Sequence, residues 1–410
     1  PKGGVTSQVI VEGRPYKDCT VQEYYSQFVL EEAPAIISRN LERLLRSNDV
    51  LVIEGAGSPA EINLRGKDVA NMFVARLAKA DCLLAVNIDW GGAYAYAVGT
   101  LMLLEDEERE LFKGVLINNM CPGGGSLGDS LELVERKTGV PVLAVLPHLP
   151  SLYLPVEDSM DLDQRQGGEG IITVAVVRLP MISNFTDFDA LSLEEGVRVI
   201  YARTPEELLP ADAIILPGTK NTVQDLNWLR ESGMAEAVLA KAGAVPILGI
   251  CGGYQMLGRR IIDAHGLEGS GPSEMEGLGL LDAVTYFDTY DKTTVQVSGS
   301  LADGGEVRGY EIHMGRTESA EGALFQLRPD RRPEGSWDRK RKVMGSYMHG
   351  LFDLPAFRGL FLSMIERHEG ARTKGTDHDA EIETSLDRLA AMIEEHLDLD
   401  ALLGGDGHGA

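Results

Sequence analysis

No stretch of the 410-residue sequence approaches the ~18–20 consecutive apolar residues that a membrane-spanning helix needs, which excludes a helical membrane protein. Basic charge is scarce: 38 Lys and Arg stand against 63 Asp and Glu, a net charge of −25. Such a surface repels phosphate backbones, so a nucleic acid is not an expected partner, and neither is a membrane. Cysteine is sparse as well. Cys19, Cys82, Cys121 and Cys251 lie far apart with no Cys-x-x-Cys pair, which argues against a disulfide framework or a zinc knuckle and for a reducing, cytoplasmic compartment. Pro1-Lys2-Gly3-Gly4 shows neither an initiator Met nor an apolar signal segment, so the expectation is the middle of a longer gene product. Internal repeats and low-complexity tracts are absent.

What is present is ordinary for a core-forming protein: 44% hydrophobic and 25% charged residues, in a length that suggests two or three domains. Short apolar runs alternate with amphipathic stretches. Val50–Ile53 ends in Glu54-Gly55-Ala56-Gly57-Ser58-Pro59, and Cys82–Val86 ends in Asn87-Ile88-Asp89. Gly114–Ile117 ends in Asn118-Asn119, Pro141–Leu146 ends in Pro147, and Lys67–Lys79 has a helical pattern. Apolar runs of this length, bounded by turn formers and followed by helices, predict buried parallel strands in a βαβ layout. The polar residues fall just after the strands, at the edge where open α/β sheets bind ligands.

A polar, Gly-rich segment at Asp161–Gly170 predicts a linker. A second α/β series follows, with strands at Ile171–Val177, Val197–Tyr201, Ala213–Leu216 and Val245–Ile250 and a helix over Asn221–Arg230. From Gly277 to about Gly350 the pattern turns β-rich, with strands at Thr294–Val297, Val307–Ile312 and Val343–Tyr347. Glu381–Leu403 repeats apolar residues at helical spacing.

The sharpest chemical signal is Ile247-Leu248-Gly249-Ile250-Cys251-Gly252-Gly253-Tyr254-Gln255. An apolar strand ends in one Cys flanked by small residues, and a helix begins at once. That is the logic of a nucleophile elbow: glycines permit a strained turn, and the helix N-terminus favours a thiolate and an oxyanion. A thiol nucleophile needs a base. His349 is the leading candidate because Met348-His349-Gly350 reads as the turn after a strand; His313 competes with it. Histidines 368, 378, 396 and 408 lie in charged or tail segments and are expected to face solvent.

The segment Gly249–Gly258 resembles the glutaminase elbow of class I glutamine amidotransferases, and more narrowly the cobyric acid synthase branch. Similar blocks run through the chain: Ser7–Val11, Glu54–Leu64, Ile182–Asp189, Leu216–Thr222 and Tyr310–Thr317. The Ser183–Asp189 and Tyr310–Thr317 blocks separate this branch from the related cobyrinic acid a,c-diamide synthases. The fold class implied is α/β in two domains: a partial P-loop, dethiobiotin-synthetase-like parallel sheet and a class I glutamine amidotransferase domain of flavodoxin-like type. The boundaries expected are a partial ATP-dependent amidoligase domain over 1–160, a linker over 161–170, an amidotransferase domain over 171–370 and a helical tail over 371–410.

The resemblance also implies roles. Cys251 attacks the glutamine side-chain amide, His349 moves the proton, and the N–H groups of Gly218 and Gly252 hold the oxyanion. Class I glutaminases carry a Glu two residues after the His. Leu351 stands there in this chain; the branch shares the loss and works as a Cys–His dyad, which leaves no third residue assigned. In the first domain Glu54 is expected to bind Mg²⁺, Gly55 and Gly57 to approach phosphate oxygens, Asp89 to hold the metal or the activated carboxylate, and Asn118 to read the base of ATP. His313, Arg316 and Thr317 are expected on the inter-domain side. The Gly-Lys-Ser/Thr phosphate loop of this fold does not occur in the sequence, and Met120–Gly125 departs from the family run. The expectation is truncation of that loop or its supply by a separate chain; the alternative is an inactive ATP half. The implied reaction is ATP- and glutamine-dependent amidation of a corrinoid polycarboxylate. The alternatives are a glutaminase subunit of another amidoligase, such as a cobyrinic acid a,c-diamide synthase or a cell-wall precursor amidase complex, and a non-enzymatic scaffold.

Overall fold

The computed structural model describes residues 6–121, 127–155, 170–268, 271–289, 292–302, 304–365 and 377–403. The expected linker at 161–170 therefore falls outside the described residues except for Gly170, as does most of the departing run after Cys121. The chain forms two compact units, one from Val5–Leu152 with Thr384–Ala410 and one mainly from Tyr153–Glu383.

In the first unit the strands Cys82–Asn87, Phe112–Met120 and Val142–Pro147 form a parallel sheet in that order. Val115 and Ile117 are fully buried in it, packed with Ala97 and Leu101 of the helix Ala93–Leu103. On another flank Ala144 and Leu146 cluster with Met392 and Leu397, so the end of the chain completes this unit's core. The predicted tail is helical over His378–His396 and Leu399–Leu403.

Two expectations need correction here. Val50–Ile53 is not a strand: it pairs with no other segment among the described residues, and Val52 is 90% exposed. A strand exists only through its ladder, so an apolar run without a partner stays coil. The helix expected over Lys67–Lys79 shortens to Met72–Ala78. The carboxylate of Asp68 accepts the N–H groups of Ala70, Asn71 and Met72, each at 2.9 Å, which fixes where the helix can begin.

The second unit is built on a six-stranded sheet. Its order is Ser336–Asp338, Val343–Ser346, Ile247–Ile250, Ala213–Leu216, Ile172–Val177 and Val197–Ala202, parallel except for the first strand. Every residue of Ile172–Val177, Ala213–Leu216 and Ile247–Ile250 is buried, as expected for strands covered on both faces. The β-rich stretch adds a five-stranded sheet in which Thr293–Leu301 pairs with Glu306–His313, and a four-stranded sheet holding Ala283–Tyr286 and Arg316–Ser319.

Met348-His349 departs from the expected turn. It is a two-residue strand that pairs with Glu311 and Tyr310. His378, expected in solvent, is buried against the ring of Tyr153 at a centroid separation of 5.5 Å.

Candidate active site

The strand Ile247–Ile250 delivers Cys251 to the carboxyl edge of the six-stranded sheet, and the helix Gly252–Leu257 starts immediately after it. Cys251 takes φ 52° and ψ −109°, the strained conformation that an elbow imposes on a non-glycine residue. The flanking glycines are sterically required. A Cβ on Gly249 would stand 2.6 Å from Gly253 O, and one on Gly253 would stand 1.9 Å from Leu216 O. The thiol is mostly buried, with Ile312 O 3.5 Å from Sγ. Gly252 opens the helix, so its N–H has no intrahelical acceptor. Gly218 lies in the turn after Ala213–Leu216, where an added Cβ would sit 3.0 Å from His349 Cε1. The structure thus brings Cys251, Gly252, Gly218 and His349 together.

His349 is fully buried. Its ring stacks on Tyr310 with centroids 5.2 Å apart, a consequence of the strand pairing that places the two residues opposite each other. Nδ1 lies 2.7 Å from Asp187 Oδ2. Nε2 has no hydrogen-bond partner among the described residues. The Cys251 thiol is close enough to act on the ring's charge. Burial opposes charge on the imidazole, but the Asp187 carboxylate and Cys251 outweigh it, so His349 titrates above its ordinary value. The competitor behaves oppositely: burial holds the pKa of His313 down, its Nδ1 faces Gly315 O at 2.7 Å, and its ring stacks on Tyr347.

A family model described as the CobB/CobQ-like glutamine amidotransferase domain matches residues 173–357, the segment that carries this constellation. The cobyric acid synthase of Pelotomaculum thermopropionicum is 44% identical, over 98% of this chain and 82% of its own. The probable cobyric acid synthase of Methanosarcina mazei is 43% identical over 98% and 82%, and the cobyric acid synthase of Geobacillus thermodenitrificans 42% over 97% and 80%. The chain belongs to the cobyric acid synthase family. A solved structure titled as a glutamine amidotransferase is also similar, at 22% identity over 47% of this chain and 98% of that one, but its TM-score of 0.37 is too low to carry an argument.

In this cobyric acid synthase-family chain the residue that sequence reasoning missed is Asp187. It lies 162 positions before His349 and is buried, at a bend that begins with Asn184 in the left-handed region at φ 53°. The signal available was its place in the Ser183–Asp189 block; what was absent was any local spacing linking it to His349. Behind the elbow a buried polar chain runs from Thr222 Oγ1 to Gln255 Oε1 at 2.7 Å and from Gln255 Nε2 to the Tyr347 hydroxyl at 3.2 Å. It continues from Tyr347 to Thr317 Oγ1 at 2.6 Å and on to Thr285 Oγ1 at 2.8 Å. Thr317 therefore belongs to this network within the unit. Arg316 is exposed, lies over the Tyr286 ring and pairs with Glu318 and Asp288. Glu334 is wholly buried beneath the strand leading to His349; its carboxylate accepts Ser346 Oγ–H at 2.8 Å and the Tyr347 N–H at 2.7 Å.

The residues expected to bind nucleotide lie in the other unit. Glu54 stands on exposed coil, because the strand meant to place it does not form. Gly55 packs against Asn71, whose Oδ1 would lie 2.2 Å from an added Cβ. Gly57, at φ 65°, lines a cavity of about 490 Å³ together with Tyr24, Arg65 and Lys67. Asp89 is held by the Asn119 amide and lies 3.7 Å from Cys121 Sγ, while Asn119 Oδ1 meets His148 Nδ1 at 2.6 Å. Asn118 is exposed at the end of its strand. Among the described residues no group of three or more His, Cys, Asp or Glu side chains could hold a metal ion.

Proposed function

We propose that this chain carries out the glutamine-dependent reaction of cobyric acid synthases: ATP-dependent amidation of the b, d, e and g carboxylates of adenosylcobyrinic acid a,c-diamide in cobalamin biosynthesis, in the cytoplasm. The observation that carries the glutaminase half is a strained, glycine-flanked cysteine close to a buried imidazole whose Nε2 has no other hydrogen-bond partner among the described residues. Four free cysteines accord with a reducing compartment, and no helix among the described residues is long and apolar enough to cross a membrane. The alternative of a glutaminase subunit is disfavoured because the similarity to cobyric acid synthases runs through both units, over 97–98% of the chain.

The chemistry follows from the geometry. With a ring that titrates above its ordinary value, His349 Nε2 holds the proton of the Cys251 thiol, and Sγ attacks the side-chain amide carbon of glutamine as the thiolate. The oxygen that becomes negative is stabilised by the N–H groups of Gly252 and Gly218, donors of a kind worth about 3–4 kcal/mol each. When the C–N bond breaks, the imidazolium returns the proton to the leaving nitrogen and ammonia departs. Water attack on the γ-glutamyl thioester, with His349 as base, then yields glutamate and frees the thiol. Ammonia, glutamine and a corrinoid polycarboxylate are the small-molecule partners; ATP is the co-substrate that the amidation requires. Glutamate release by the full chain tests this reading. It is expected in the parent and absent in Cys251→Ala; turnover retained in that variant, or none in the parent, overturns it.

A further inference from the structure

The carboxylate that class I glutaminases place two residues after the His is missing here, and its position is filled by Leu351, a core residue only 1% exposed. The space beside the imidazole is nonetheless occupied by an acid. Asp187 Oδ2 meets His349 Nδ1 at 2.7 Å, and its other oxygen, Oδ1, accepts the N–H of Gly350 at 2.9 Å. One carboxylate therefore grips both the ring and the backbone of the residue that follows it. The side chains of Asp187 and His349 are 2% and 1% exposed, so water does not compete for either group.

We infer that Asp187 is the positioning acid of this glutaminase, reached from a distant loop rather than from the strand that carries the histidine, so that the site is a triad and not a dyad. The inference rests on the reading of Cys251 and His349 as nucleophile and base. An ionised carboxylate only accepts hydrogen bonds, so Nδ1 keeps its proton towards Asp187 and Nε2 is the ring atom that exchanges a proton with the thiol. Nε2 is the ring atom with no partner in the free protein. The proton released as the S–H bond breaks then has one destination, and the imidazolium that forms lies against a fixed negative charge. The rival acid is Asp353. Its Oδ1 is directed to His378 Nδ1 at 3.8 Å, and its charged surroundings comprise His378, Asp187, Asp379 and Arg308, whereas the ring's Nδ1 is taken by Asp187.

Three variants of the full chain test this: Asp187→Asn, Asp187→Glu and Asp353→Asn. Each is read by steady-state glutamate release and by the pH profile of iodoacetamide alkylation at Cys251, followed on the Cys251 peptide. Asp187→Asn is expected to lower kcat by roughly 10²–10⁴-fold with KM for glutamine within about threefold. It is also expected to shift the alkylation midpoint to higher pH, because the imidazolium that favours the thiolate is weakened. Asp187→Glu should recover part of the rate, and Asp353→Asn should stay within about threefold of the parent. The inference is overturned if Asp187→Asn keeps the parental kcat, if it loses activity with the alkylation profile unmoved, or if Asp353→Asn falls as far. Loss of the parent's own dependence on Cys251 would instead overturn the underlying glutaminase reading.

Discussion

Ile172–Val177 and Val50–Ile53 are both short apolar runs closed by turn-forming residues, but the first is buried at all six positions while the second leaves Val52 90% exposed. The same contrast holds for the glycine-rich turns of the two units. Around Cys251 the glycines are forced by backbone 1.9–2.6 Å from where a Cβ would stand, whereas an added Cβ on Gly57 would meet nothing within 4 Å. In the amidotransferase unit the strand before the elbow is paired on both sides and Gly249 and Gly253 are pressed against neighbouring backbone, so the local pattern and the tertiary frame agree. Around Glu54 the pattern is present without the frame. An apolar run followed by Gly-x-Gly is therefore a statement about composition, and becomes a site only when a sheet holds it.

The most severe test of that contrast is chemical. His349→Asn should lower glutamate release by about 10²–10⁴-fold with far-UV circular dichroism unchanged; if the rate survives, the buried constellation is structural only. Next are paired truncations. Ile215→Ala, at a fully buried position, should cost about 2–5 kcal/mol of stability, and Ile53→Ala less than about 0.5 kcal/mol, measured by urea unfolding. Gly253→Ala and Gly57→Ala sharpen the same comparison. The first must displace the Leu216 carbonyl and should cost about 1–3 kcal/mol or more together with most of the glutaminase activity. The second adds only the strain of a left-handed alanine, about 1–2 kcal/mol, with activity retained.

A pH dependence of stability is also expected from the amidotransferase unit. Burial pushes Glu334 up to about 7, although the Tyr347 N–H and the Ser346 hydroxyl favour its ionised form. Between the ordinary carboxylate range and pH 7 the folded state then keeps a proton that the unfolded state has released. Stability should therefore fall as pH rises through that window and level off above it. Glu334→Gln should flatten this part of the profile, as read from urea midpoints between pH 5 and 8. An unchanged slope would mean that the buried carboxyl does not titrate there.

Much of the amidotransferase unit was legible beforehand because its signals are local. Ala213–Leu216 and Val343–Ser346 are contiguous apolar runs, and Gly249-Ile250-Cys251-Gly252-Gly253 carries the steric demand of the elbow within five residues. His349 was legible from its place after a strand, but its own strand was not. Two residues show no periodicity, and their pairing with Tyr310 and Glu311 depends on a segment nearly forty positions away. The burial of His378 escaped for the same reason, since the Tyr153 ring that covers it comes from a remote part of the chain.

The amino-acid order alone determined the α/β character and put forward Cys251 and His349 as the candidate thiol and base, because strand periodicity, glycine sterics and the pairing of thiol with imidazole are properties of short segments. Only the tertiary structure decided which carboxylate meets His349 and which apolar runs become strands. Those outcomes depend on ladder partners and on distances between residues far apart in the chain. Burial then gives the contacts their strength: the Asp187–His349 pair, 162 residues apart in sequence, is held at 2.7 Å in a place water does not reach.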